Sequence, residues 1–515
     1  MTDKTDMSAP PQRHPRRWLI LIVLCLSTLV LVVDNMVLNV AVPQIATDLD
    51  ADAQDIQWII DSYILVFAGL LLTSGSMSDR YGRRLVMVVG LILFGAASVL
   101  AAFATNPELL IAGRVVMGIG GALIMPSTLS ILITVFDEAE RPRAIAAWSA
   151  VSVVGMVGGP VLGGVLLDHF WWGSVFILNV PIVVLAIIAA LALMPESKGP
   201  WRKADLPGMV LSVVGMTALV WTIIVIPADG FTAPSTLTAL VIAIAGLGGF
   251  VIRELNTATP MVPLELFGNR VFTGSSFSLV LLTFANGGLL LVLTQYLQFV
   301  LEYTPMETAL AFTPMAVAVL ACNAIGAGLT AKLGHRTITA TGLLITAGGF
   351  AVLATLDAGA GFWQPAIAVA VLGCGLGLAM PAAIGALMSA VPGEHAGVGS
   401  AVNDTIQQAG AALGVAVLGA VLAGSYTGGM PESAPDDARE SITDALAVAL
   451  DTGDTGLAVA AREAFTSAMS TTFVGGACAV VGAALLSLVL MRDRRQDSAE
   501  MEDTGKEEAD EVLAR

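Results

Sequence analysis

Long apolar stretches joined by short connections, with the basic residues confined to alternate connections, constrain this chain more than any other feature. Of its 24 Lys and Arg residues, 21 lie in the first 17 residues, in every second connection, or at the C-terminal end. That distribution is the positive-inside pattern of a chain that crosses a bilayer repeatedly. A helix of about 18 to 25 apolar residues is long enough to cross a hydrocarbon core of roughly 30 Å. Fourteen such crossings are expected, near 18–40, 56–77, 85–104, 108–135, 144–167, 174–194, 206–226, 235–253, 270–296, 307–330, 336–356, 364–390, 401–424 and 468–491.

The basic residues test this number. Arg16 and Arg17, then Arg80, Arg83 and Arg84, then Arg141 and Arg143, then Lys198, Arg202 and Lys203 fall on one side. Arg253 with Arg270, Lys332 with Arg336, and the chain from Arg492 onward continue the series. Dropping one crossing would put several clusters on the wrong side. The basic side is expected to be cytoplasmic and to hold both termini, in a multi-pass protein of the cell (inner or plasma) membrane. Arg114, Arg439 and Arg462 are the three exceptions.

A chain with 56% hydrophobic and 13% charged residues and a mean hydropathy of +0.83 is outside the soluble globular range. The net charge of −17 sits largely in 48–55, in 432–463 and in the tail after Arg495, which read as solvated loops and ends. The first apolar stretch lacks a small-residue cleavage pattern and reads as a retained anchor. Cys25, Cys322, Cys374 and Cys478 all lie in apolar spans, with neither disulfide nor metal spacing.

Two connections resemble each other. Gly75-Ser-Met-Ser-Asp79-Arg80-Tyr-Gly82-Arg83-Arg84 follows the second crossing, and Ala327-Gly-Leu-Thr-Ala331-Lys332-Leu-Gly334-His335-Arg336 follows the tenth. An offset of eight crossings fits a parallel repeat of two six-helix bundles with two further helices inserted between them. The expected fold is therefore an all-α polytopic membrane protein. Its parts are a cytoplasmic tail 1–17, a six-helix bundle 18–195, inserted helices 206–253, a second bundle 270–491 with an extracytoplasmic loop 425–464, and an acidic cytoplasmic tail 492–515. The loop has room for a short amphipathic helix around 438–448.

The first of these connections also resembles the helix 2–3 signature of the major facilitator superfamily. Asp34-Asn-Met-Val-Leu-Asn39-Val-Ala-Val-Pro43 is similar to the first-helix motif of its fourteen-helix drug–proton antiporters. Arg114-Val-Val-Met-Gly118-Ile-Gly120-Gly121 resembles the fourth-helix motif, and Gly155-Met-Val-Gly158-Gly159-Pro160-Val-Leu-Gly163-Gly164 the antiporter motif of the fifth. Asn179-Val-Pro181, Pro263-Leu-Glu-Leu-Phe267 and Gln295-Tyr-Leu-Gln298 are smaller matches. The resemblance is greatest to the EmrB/QacA-like multidrug exporters. It implies the major facilitator fold and proton-driven export of amphipathic, often cationic compounds such as quaternary ammonium compounds and dyes. It also implies multidrug or antibiotic resistance by alternating access, with protons as coupling ion and no other cofactor.

The residues can be read for that chemistry. A carboxylate inside a spanning helix costs roughly 2.5–3.5 kcal/mol on insertion scales and marks a functional position by default. Asp34 lies roughly 24 Å above Trp18 at a rise of about 1.5 Å per residue. Asp61 and Arg114 fall in the same layer. A carboxylate facing Arg114 is favoured as the anion while desolvation favours its neutral form, so its protonation can follow conformation. Asp34 is expected to carry the proton with Arg114 as partner. Asp404, near the cytoplasmic start of the thirteenth crossing, is the other buried acid, and Asn403-Asp404-Thr-Ile-Gln407 is expected to face a cavity open to the cytoplasm.

The loop containing Gly75, Asp79, Arg80, Gly82, Arg83 and Arg84 is expected to gate, its basic side chains bridging to carboxylates or helix C-termini. Gly155, Gly159, Pro160, Gly163 and Gly164 predict a tight, bent helix contact that limits leak through the centre. Asn39, Phe284, Asn286, Gln295, Tyr296, Met315, Asn323, Asn403 and Gln407 are the candidate substrate contacts. Some members of the family this chain resembles carry an acid in helix 10 that is linked to divalent cations; the matching stretch here, Met315-Ala-Val-Ala-Val-Leu, has none, so the resemblance implies monovalent rather than divalent cations.

Other classes stay open at this point. A dedicated exporter of an endogenous metabolite or lipid shares all these motifs. A membrane enzyme or sensor on the same scaffold needs a catalytic cluster. His14, His169, His335 and His395 are far apart, and neither a metal or nucleophile constellation nor a P-loop is apparent, so no enzyme is expected. The expected partners are lipophilic small molecules, protons and the lipid bilayer. No nucleic-acid partner is expected, and the chain is expected to be a monomer.

Overall fold

The computed structural model describes residues 15–199, 205–230, 233–257 and 260–491. Among these residues the regular structure is helical throughout. Five long helices open the chain: α1 (Arg17–Asp48), α2 (Ala53–Tyr81), α3 (Arg83–Ala102), α4 (Pro107–Val135) and α5 (Arg141–His169). A single turn, α6 (Ser174–Ile177), leads into α7 (Asn179–Leu193); α8 (Leu206–Asp229) and α9 (Pro234–Asn256) follow. Next come α10 (Arg270–Gln295), prolonged by a π-turn over Tyr296–Val300, the short α11 (Pro305–Ala311), α12 (Thr313–Leu353) and α13 (Trp363–Ser389). The chain closes with α14 (Ala396–Gly429), α15 (Asp436–Glu440), α16 (Ile442–Thr452) and α17 (Thr455–Leu490).

Thirteen helical stretches among the described residues are long and apolar enough to cross a membrane, one fewer than the expected fourteen. The difference lies in α12. Its 41 residues are broken at Gly334 (φ 82°, ψ 161°), leaving arms 313–333 and 335–353. Each arm is about 28–31 Å long at the helical rise, enough for one crossing. Gly82, at the matching place in the other loop, also has positive φ (123°) and separates α2 from α3. Only glycine takes that backbone geometry without steric cost, so the two similar loops share a hinge residue and its conformation.

Several helices outrun their apolar segments. α14 continues to Gly429 and α17 begins at Thr455, so most of 425–464 is helical. α16 is capped by Ser441, whose Oγ accepts from the Asp444 N–H at 3.2 Å, and it stops at Gly453 (φ 71°). Tyr426 donates to the Ala438 carbonyl at 3.1 Å, and Arg462 pairs with Glu302 and donates to the Phe299 carbonyl. Hydropathy marks the bilayer crossing; it does not mark these polar extensions.

Two buried apolar clusters organise the packing. One is built mainly from α1–α7 and reaches Ala383–Val402 of α13 and α14; the other is built from α10–α17. The inserted α8 packs on α2, with Trp58 stacked on Trp221 at 5.0 Å between ring centroids. Outward-facing positions such as Ile188 and Ile244 remain more than 60% exposed, as expected where lipid replaces water. The end of the bundle that carries Arg80, Arg83 and Arg84 also carries the start of α14 and the end of α7, joined by direct bonds.

Candidate functional site

The first component is a carboxylate sealed between three helices. Asp34 of α1 is 3% exposed and Arg114 of α4 is fully buried. The Arg114 Nη1 donates to Asp34 Oδ2 at 2.6 Å, and the Asn179 Nδ2 of α7 donates to Oδ1 at 2.8 Å. Both oxygens of the acid are therefore held. Arg114 is fixed in turn by its Nε bond to the Ile59 carbonyl (3.1 Å) and by the Tyr63 ring, 4.3 Å from the guanidinium carbon. Separating such a pair would strand a buried charge, typically at about 3–5 kcal/mol. The Arg114 Nη2 and Asn179 Oδ1 have no hydrogen-bond partner in the protein. Asn179 belonged only to a minor motif in the sequence; the signal that marks it is an amide interrupting an otherwise apolar run.

Asp61 does not join this pair. It is half-buried, and its hydrogen-bond partner is Gln57 on its own helix.

The second component is a clamp at the basic end. Asp79 of α2 accepts from Arg83 at 2.7 Å and, across to the other cluster, from the backbone N–H groups of Gly397 (2.9 Å) and Val398 (3.0 Å). These are otherwise unpaired donors of the first turn of α14, where the helix dipole favours an anion. Arg83 donates onward to the Gly393 carbonyl at 2.8 Å. Gly75 lies against Gly397 and Ala401 so closely that a Cβ would overlap both. Arg84 donates to the Met194 carbonyl at the C-terminus of α7 (2.9 Å) and faces Glu196. Arg80 lies over the Tyr81 ring at 5.0 Å. The expected basic bridges to helix C-termini thus exist at Arg84, but the bond between the two clusters is made chiefly by the acid. In the second loop Ala331 replaces that acid, and His335 bonds the Ala382 carbonyl within its own cluster at 2.9 Å.

The third component is a cavity of about 210 Å³ between the two clusters. Met125, Trp148 and Met156 from α4 and α5 face Met315 and Met380 from α12 and α13. Its polar lining is Ser149, Ser152, Thr283, Asn286, Asn323 and Gln407. The Trp148 Nε1 is already bonded to Thr28 Oγ1 at 3.0 Å, whereas Ser149 Oγ and Asn323 Oδ1 lack partners in the protein.

Of the expected substrate contacts, Asn286, Met315, Asn323 and Gln407 line this cavity. The others lie elsewhere. Tyr296 is fully buried in the second cluster, its hydroxyl donating to the Asp357 carbonyl at 2.6 Å. Phe284 presents its backbone to Gly414 of α14, Asn39 donates to the Asn35 carbonyl, and Gln295 ends α10 outside the lining. Asn403 and Asp404 do not line it either. Both are under 5% exposed, with Asn403 donating to Asp404 at 3.0 Å and Asp404 Oδ2 unpaired. The expected cytoplasm-facing polar patch is therefore a buried one. The helix begins at Ala396, five residues before the expected start, because its small residues Gly397 and Ala401 pack directly on α2.

The α5 glycines divide in the same way. Gly155, Gly159 and Gly163 face Val32, Met36 and Val37 of α1, while Gly158 and Gly164 have nothing within 4 Å of where a Cβ would stand. Their contact is with the helix that carries Asp34, on either side of it in sequence.

The chain was compared with known proteins. A family profile described as the Major Facilitator Superfamily matches residues 24–415. The chain is 35% identical over 392 residues to the multidrug efflux pump LfrA of Mycolicibacterium smegmatis, covering 76% of this chain and 78% of that one. It is 33% identical over 389 residues to the methyl viologen resistance protein SmvA of Salmonella typhimurium, covering 75% and 79%. It is 32% identical over 370 residues to the methylenomycin A resistance protein of Streptomyces coelicolor, covering 72% and 78%. Among solved structures, the human organic anion transporter MFSD10 (TETRAN) superposes with a TM-score of 0.59 over 90% of this chain and all of that one, at 14% identity. That likeness concerns the fold.

Proposed function

This chain is a multi-pass membrane transporter of the major facilitator superfamily, and from that premise we propose that it is a proton-driven exporter of amphipathic small molecules. The observation that carries the proposal is the Asp34–Arg114–Asn179 arrangement: a buried carboxylate held by donors from two other helices, so that gaining a proton would weaken bonds that join three helices. The efflux and resistance relatives support the direction of transport. Protons are the coupling ion and no other cofactor is involved.

In this reading the basic end is cytoplasmic. Two six-helix bundles (18–195 and 270–491) enclose the path, and the crossings of 206–253 are inserted between them. The Asp79 clamp closes the cytoplasmic side and leaves the cavity to release its load outward. Protonating Asp34 weakens its hold on Arg114, lets α1 and α4 shift, and accompanies release of the clamp. The chain acts as a monomer on lipophilic compounds taken from the bilayer or cytoplasm. The quaternary ammonium compounds and dyes implied by sequence resemblance are one candidate class.

The test is efflux from cells lacking their own pumps, with a panel of amphipathic compounds. Expression is expected to lower the accumulation of at least one compound, and a protonophore to abolish the effect. Efflux that persists after the proton gradient is collapsed would exclude proton coupling.

A further inference from the structure

We infer that the cavity between the two clusters selects electroneutral, planar compounds bearing hydroxyl and carbonyl oxygens, and that permanent cations are its poorer ligands. The inference rests on the exporter reading, because it takes this cavity as the place where substrate is held.

The described wall carries no Asp, Glu, Lys, Arg or His. The buried carboxylates among the described residues, Asp34, Asp79, Asp205, Glu254 and Asp404, are all outside it: Asp34 is held by Arg114 and Asn179, and Asp404 accepts from Asn403 on one oxygen. A cation that enters a dry cavity loses its hydration and needs a counter-charge or several aromatic faces in return. Trp148 is the one aromatic residue in the described lining.

What the wall does offer suits a flat neutral ring system. Met125 and Met156 on one side and Met315 and Met380 on the other give polarizable, adaptable surfaces above and below a planar guest. The polar part of the wall is uncharged and comes from both sides: Ser149 and Ser152 on α5 face Thr283 and Asn286 on α10, Asn323 on α12 and Gln407 on α14. Two of these residues carry a sealed polar atom with no partner in the protein, Ser149 Oγ and the Asn323 carbonyl oxygen, which rotation of the side chain would offer to a guest. A buried polar group without a partner is costly, so a ligand that satisfies both gains specificity from each. A fused aromatic ring with a carbonyl on one edge and a hydroxyl on another is the simplest ligand that meets these demands.

The test uses the full-length chain in lipid nanodiscs, with empty nanodiscs subtracted. Equilibrium dialysis compares chrysophanol, a neutral hydroxyanthraquinone, with ethidium, a permanent cation of similar ring area. Chrysophanol is expected to bind about tenfold tighter. Ser149→Ala and Asn323→Leu are each expected to weaken it, whereas Asn323→Asp supplies the missing counter-charge and is expected to raise ethidium affinity about tenfold. Asn286→Asp, elsewhere in the wall, serves if Asn323→Asp does not fold. Ethidium binding as tightly as chrysophanol in the wild type, or acid variants that leave the ratio unchanged, would overturn the inference. The expected preference with no export of any compound of the panel from energised vesicles supports the cavity chemistry and overturns the exporter reading, so the two failures are separable.

Discussion

Asp34 has a side-chain donor on each carboxylate oxygen, Arg114 from α4 and Asn179 from α7, in a site closed to solvent. Its pairing with Arg114 was legible from sequence because counting along α1 from the basic end and along α4 from the opposite end puts both in one layer. Asn179 was not assigned a role, since nothing in its local pattern says which way an amide on an apolar helix points. Replacing it with Leu leaves one carboxylate oxygen bare in a fully buried site, a loss of about 1–3 kcal/mol. Asn179→Leu is therefore expected to cut proton-coupled efflux about tenfold in a protein that still reaches the membrane, and Asn179→Gln to recover part of it. Unchanged efflux at matched expression would show that the amide is incidental. The misread residues have equally local causes. Tyr296 satisfies its hydroxyl on the Asp357 carbonyl and so stays in the core, and Trp148, which the sequence did not single out, reaches the cavity wall through a rotation that hydropathy does not encode.

At the level of helices, glycine placement decides what touches what. Gly155, Gly159 and Gly163 recur every four residues and form one edge of α5, which lies against α1 beside Asp34. A Cβ at Gly159 would stand 2.5 Å from the Met36 Cβ, whereas one at Gly158 would meet nothing within 4 Å. Gly159→Ala is expected to destabilise by about 1–3 kcal/mol and to impair efflux, because it pushes α1 away two residues from the acid. Gly158→Ala is expected to be neutral or stabilising by up to about 1 kcal/mol, since alanine is the better helix former. Thermal unfolding in detergent and efflux read side by side check the pair; equal effects would show that the tight edge has no special role. Sequence periodicity identified the glycine-rich helix, but which glycines are crowded depends on the facing helix. The start of α14 was placed at 401 instead of 396 for a related reason: Gly397 resembles a loop residue, yet its small size is what admits α2.

Over the whole molecule, the charge pattern was the more reliable guide than the apolar boundaries. Alternating basic connections required an even number of crossings, and the hinge at Gly334 reconciles that number with the thirteen continuous stretches. The repeat in the two loops appears as matching positive-φ glycines, while the difference between them, Asp79 against Ala331, leaves an acid-to-helix-terminus bond at the first loop and none at the second. In the proposed mechanism, proton occupancy of Asp34 drives this asymmetric molecule between states. Proteoliposomes carrying a pH-sensitive dye measure it most directly: substrate is added and substrate-induced proton movement is followed for wild type, Asp34→Asn and Asp404→Asn, with substrate binding recorded for each. Asp34→Asn is expected to bind substrate but to move no protons, while Asp404→Asn still moves them. Proton movement that survives Asp34→Asn, or vanishes only in Asp404→Asn, would contradict that mechanism.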